Sequence, residues 1–100
     1  MQPLTRIVKM EFKPEHIPTF KSNFNGVKEQ IRAVDGCEFL ELYQDQNSPT
    51  TFFTYSKWES DAHLQQYRNS ALFGRVWKAT KILFNDAPAA WSVDTLHTLA

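Results

Sequence analysis

Residues 37–58 read CEFLELYQDQNSPTTFFTYSKW. Residues 37–45 and 51–58 are rich in aromatic, aliphatic and β-branched side chains, which suit a pleated, half-buried surface. Between them, residues 45–50 (DQNSPT) are turn-forming types. Two such runs with so short a polar connection predict a β-hairpin. Upstream, residues 4–13 (LTRIVKMEFK) alternate. Leu4, Val8, Met10 and Phe12 share one parity, interrupted by Arg6, and Ile7, Lys9 and Glu11 share the other. That period of two predicts a further strand.

Between this strand and the hairpin, Ile17, Phe20, Phe24, Val27 and Ile31 recur at helical spacing. They predict an amphipathic helix over 15–34. Pro14 suits its first turn, Glu15 complements its dipole, and Asp35-Gly36 suits its end. After the hairpin, Ser60-Asp61 offers an N-cap. Helices are expected over 61–69 and 71–84, broken near Asn69-Ser70 and ended by Asp86-Ala87-Pro88. A last strand is expected over 91–99 (WSVDTLHTL), with Trp91, Val93, Thr95, His97 and Leu99 on one parity. The order β-α-β-β-α-β is the ferredoxin-like α+β arrangement, an antiparallel sheet with its helices on one face.

Composition excludes several classes of function. With 100 residues, the chain is expected to form one domain over 1–100. Lys+Arg is 11 and Asp+Glu is 11, so there is no surplus of positive charge to attract nucleic acid or an anionic membrane. The single Cys37 excludes an internal disulfide and a Cys-rich metal site. His16, His63 and His97 are scattered without metal-ligand spacing. No phosphate-binding Gly-rich loop or serine nucleophile elbow is present. The opening MQPLTRIVKMEF lacks the pattern of a secretory signal, and no apolar run is long enough to span a bilayer, so the cytoplasm is the expected compartment.

The sheet is aromatic on both parities. Phe53 and Tyr55 oppose Phe52 and Trp58; Cys37, Phe39 and Tyr43 oppose Leu40 and Leu42; Met10 and Phe12 oppose Ile7. Helices on one face leave the other aromatic face uncovered. The expectation is a homodimer packed through its open sheet faces, with a pocket near that packing. Arg6 and Lys9 fall on opposite parities, and whichever faces the pocket would meet an anionic substrate.

Two segments carry a family resemblance. Ile31–Asp45 (IRAVDGCEFLELYQD) has a Gly-Cys pair leading into a strand. Phe52–Phe73 (FFTYSKWESDAHLQQYRNSALF) has an aromatic strand ending in Trp-Glu-Ser, then a short helix leading to a Ser before an aromatic. Together with the first strand and KPEHIPTFKSNF, these resemble the antibiotic biosynthesis monooxygenase domain over residues 5–95. The resemblance implies a dimeric α+β barrel. It further implies oxidation of a small aromatic substrate, anthrone- or quinol-like, by molecular oxygen without metal or flavin.

On that basis Trp58 and Tyr67 are the expected catalytic residues, with His63 or His97 as proton acceptor. Tyr55, Phe53, Tyr43, Phe73 and Trp77 are the expected substrate-binding residues. Tyr67 stands where many relatives carry a His, and a phenol with a reference pKa of about 10 is a poor base. Haem-degrading relatives carry an iron-binding His where Ser70 and Phe73 align Trp77, and an Asn that LTRIVKMEFK lacks. No cofactor is therefore expected. Two alternatives share the fold: a non-catalytic dimeric module that binds a small molecule, and a lactone isomerase-type enzyme.

Overall fold

The expected hairpin forms as β2 (Cys37–Gln44) and β3 (Thr51–Trp58) in a computed structural model that describes residues 2–100. Its turn is held by the Asp45 carboxylate, whose Oδ1 accepts from the backbone N–H groups of Asn47 (2.8 Å) and Ser48 (3.0 Å). The first strand is β1 (Leu4–Phe12). A 3₁₀ turn at Pro14–His16 leads into α1 (Ile17–Arg32). After the hairpin come α2 (Asp61–Arg68), α3 (Ala71–Lys81) and β4 (Phe84–Val93). The sheet order is β2-β3-β1-β4, with every neighbouring pair antiparallel.

Strand parity sorts the sheet into two faces. Met10, Phe12 and Phe52 turn toward the helices and pack with Phe20 and Leu83 into the main core. Phe12 is wholly buried, its ring stacked on Phe20 at 4.2 Å and flanked by Phe52 and Phe84. Cys37, Trp58 and Leu64 form a second buried cluster, to which Leu4, Val34 and Tyr67 add. The break between α2 and α3 is a cap: Ser70 Oγ accepts from Phe73 N at 3.1 Å and donates to Tyr67 O at 2.6 Å.

Three expectations need correction. The last strand runs over Phe84–Val93 rather than 91–99, so α3 stops at Lys81 and Asp86-Ala87-Pro88 lies inside β4. Pairing with β1 (Phe12 with Phe84, Ile7 with Trp91) outweighs the turn chemistry, and β4 is an edge strand with register shifts, where a proline without an N–H is tolerated. Gly36 has a positive φ of 86°, but in the tight turn Val34–Cys37, closed by Cys37 N to Val34 O at 2.9 Å, rather than directly after the last helical turn. Cys37 does not share a face with Phe39 and Tyr43. A bulge at Glu38 sets Cys37 opposite Trp58 and Phe39 opposite Lys57, so Cys37 turns to the helices.

The open face carries Phe39, Tyr43, Trp91 and Val93, each more than a third exposed. Tyr55 lies between Phe39 (5.8 Å) and Tyr43 (6.3 Å), and Lys57 Nζ sits 5.5 Å from the Phe39 ring centre. Among the described residues, no helix is long and apolar enough to cross a membrane.

Candidate active site

On the helix side, β3 runs large, small, small, large. Phe52 and Trp58 fill the two core clusters, while Thr54 and Ser56 between them are short. Across the strands Thr54 faces Val8 and Leu42, Ser56 faces Arg6 and Leu40, and Ala90 lies beyond Val8 on β4, so no aromatic ring of the sheet fills the space between Phe52 and Trp58. The helices cannot close down into that dip. A cavity of about 330 Å³ remains, floored by Val8, Thr54, Ser56 and Ala90 and roofed by Phe24, Ile31, Leu64, Tyr67, Phe73 and Trp77. Its size is at the lower end for small-molecule sites.

The roof is an aromatic ladder. Trp58 stacks on Tyr67 (5.3 Å, 22°), Tyr67 meets Phe73 edge-on (5.2 Å), and Phe73 stacks on Trp77 (5.9 Å, 8°). Helical spacing produces it, since Phe73 and Trp77 are four residues apart on α3 and Tyr67 closes α2. Trp58 is 1% exposed and donates its indole N–H to Ser56 Oγ at 2.9 Å. It is a wall whose polar tip is already engaged. Burial, with a smaller effect of Cys37, pushes the Tyr67 phenol up to about 12. Tyr67 is thereby held neutral, as a hydrogen-bond donor rather than a base.

The charged members of the lining are Arg6 and Arg68. Arg6 projects from β1 and donates to Ser92 Oγ at 3.0 Å. Burial and then the nearby Arg68 lower its pKa, and Asp61 partly offsets them. The parity question is settled here: Arg6 is on the cavity side, and Lys9, paired with Phe53 and Ala89, is on the open side.

The expected site residues divide by strand face. Trp58, Tyr67, Phe73 and Trp77 come together around the cavity. Tyr55, Phe53 and Tyr43 do not: they are on the opposite face of the sheet, where Tyr43 donates its hydroxyl to Glu41. The cavity itself lies between sheet and helices, not on the open face where the pocket was expected. Neither expected proton acceptor lines it. His63 sits against the Gly36 turn, with Nδ1 2.7 Å from Ser60 Oγ and Nε2 3.6 Å from Glu59 and 3.8 Å from Asp35. His97 is exposed in residues 94–100, beyond β4. The sequence reading missed Arg68, Ser56 and Thr54; the signal for the last two was their small size between Phe52 and Trp58. Among the described residues no cluster of His, Cys, Asp and Glu has the makings of a metal site.

Comparison with known proteins follows the same architecture. The family model described as antibiotic biosynthesis monooxygenase matches residues 3–79. A crystal structure of an antibiotic biosynthesis monooxygenase superposes with a TM-score of 0.88 at 21% identity, over 94% of this chain and 99% of that one. The protein Rv0793 of Mycobacterium tuberculosis gives 0.88 at 17% identity, over 99% and 100%. The protein PA3566 of Pseudomonas aeruginosa gives 0.84 at 24% identity, over 97% of each chain. At these identities the likeness is one of fold. A search of the curated proteins finds no match.

Proposed function

This chain belongs to the antibiotic biosynthesis monooxygenase family, and from that premise we propose that it oxidises an anthrone- or quinol-like aromatic molecule with O₂, without a cofactor, in the cavity between sheet and helices. The observation that carries this reading is the aromatic ladder Trp58–Tyr67–Phe73–Trp77 over a cavity with few polar groups. A flat aromatic substrate fits against such walls. Loss of a proton makes it an electron-rich anion, which passes an electron to O₂. The neutral Tyr67 hydroxyl donates a hydrogen bond to the substrate oxygen where negative charge builds. In the anthrone case a ring CH₂ becomes C=O. One oxygen atom of O₂ enters the product, and the other leaves as water with the two hydrogens. Among the described residues no imidazole or carboxylate lines the cavity, so the proton leaves to solvent at the cavity mouth.

Oxygen uptake with a panel of anthrones and hydroquinones tests the reading. Turnover is expected with at least one, and Tyr67→Phe is expected to slow it by about a hundredfold or more, the scale of losing one oxyanion donor. Unchanged turnover in both Tyr67→Phe and Trp58→Phe would remove the site assignment. The lack of an acid–base side chain in the lining favours a second reading, a module that binds an aromatic metabolite without changing it. Saturable binding with no oxygen uptake across the panel is the result that selects it.

We also infer a homodimer joined through the open sheet faces, which would cover Phe39, Tyr43, Tyr55 and Trp91. Sedimentation at micromolar concentration is expected to give twice the 11.6 kDa chain mass. A stable monomer there would overturn it.

A further inference from the structure

Arg6 interrupts a strand face that otherwise reads Leu4, Val8, Met10 and Phe12 and builds core. Placing a guanidinium there costs desolvation, which a structural arginine recovers through a carboxylate partner. Arg6 has none. Its one side-chain hydrogen bond, to Ser92, leaves most of its five donors free. Arg68 enters the same lining from the end of α2, and its side chain donates only a long 3.4 Å bond to Gln65. Neither arginine makes an ion pair among the described residues; Asp61 is near enough to raise the pKa of Arg6 but not to pair with it. Two like charges, near enough for Arg68 to lower the pKa of Arg6, thus line the edge of an apolar cavity without an ion-pair partner among the described residues. A hydroxyl on the ligand would leave both charges uncompensated, whereas a planar carboxylate accepts from two guanidinium forks at once.

We infer that the ligand of this cavity is an aromatic acid, whose rings lie under the aromatic ladder and whose carboxylate is seated by Arg6 and Arg68. The inference rests on the cavity as the ligand seat proposed above, but not on the oxygen chemistry.

The test compares 2-naphthoate with its neutral isostere 2-naphthamide, read by quenching of tryptophan fluorescence, since Trp58 and Trp77 line the cavity. Naphthoate is expected to bind at least about tenfold tighter, a preference that shrinks as salt rises to about 0.5 M. Arg68→Gln, at an exposed position, is expected to cut the preference severalfold. Arg6→Gln combined with Arg68→Gln is expected to abolish it while naphthamide binds as before. Lys57→Gln, on the opposite face, is expected to leave it intact. Equal affinity for the two probes, a preference undiminished in the Arg68→Gln protein, or one that persists in the double variant would overturn the acid seat while leaving the aromatic cavity standing. If neither probe binds, the seat and the cavity reading fall together. A preference for naphthoate together with no oxygen uptake across the anthrone and hydroquinone panel upholds the seat and removes only the oxidation.

Discussion

Phe12→Ala is expected to destabilise the protein by about 3–5 kcal/mol, the range for emptying a buried phenylalanine site. Phe12 has no exposed surface, and its ring touches three others, Phe20, Phe52 and Phe84, which come from α1, β3 and β4. Removing it opens a void where three elements meet, and a rigid sheet on one side limits how far they can close in. For a chain of this length the loss corresponds to a fall of roughly 12 °C or more in Tm. Thermal melts followed by circular dichroism provide the check. A loss under about 1 kcal/mol would mean that this junction is not packed as described.

Gly36→Ala is expected to be nearly as costly, for a different reason. The φ of 86° lies in the left-handed region, which costs a residue with a Cβ about 1–2 kcal/mol. The new methyl would also overlap the Cβ and Cγ of His63. His63 cannot easily yield, because Ser60 holds its ring at 2.7 Å and its own backbone N–H is part of the α2 cap. The expected total is about 3 kcal/mol. In a His63→Ala background the overlap is gone, and the cost of Gly36→Ala should fall toward the backbone part alone. A double-mutant cycle in urea measures the difference. Equal costs in both backgrounds would show that the imidazole does not confine the turn.

The fold was legible wherever local pattern and tertiary pairing agreed. The hairpin, β1 and α1 are such cases, as is the Ser60 cap of α2, because alternation, helical spacing and capping each depend on neighbours in sequence. The misplaced last strand shows the limit. Asp86-Ala87-Pro88 reads as a break, and only the long-range partnership of Phe84 with Phe12 reveals a strand passing through it. The candidate site was half legible. Trp58, Tyr67, Phe73 and Trp77 follow from the helix spacing and the family motif. Tyr55, Phe53 and Tyr43 were drawn to the pocket because sequence shows two aromatic parities without showing which one borders a void. The void depends on Thr54 and Ser56, whose importance lies in the volume they do not fill. The arginines had a sequence signal in Arg6, the charge in an apolar stripe, while Arg68 becomes its neighbour only when α2 folds back over the sheet.

The bulge at Glu38 bears on how such a chain can change in length. Each strand residue downstream of it owes its side of the sheet to that one unpaired position. A single deletion there would set Cys37 and its preceding turn out of phase with the strand that follows, so that one of the two must present the wrong side chains inward. The 45–50 connection has no such duty, because it lies at a hairpin tip and its ends are fixed by pairing on both sides. Insertions and deletions among descendants of this sequence therefore have an open place at the tip of the hairpin and a closed one at its root.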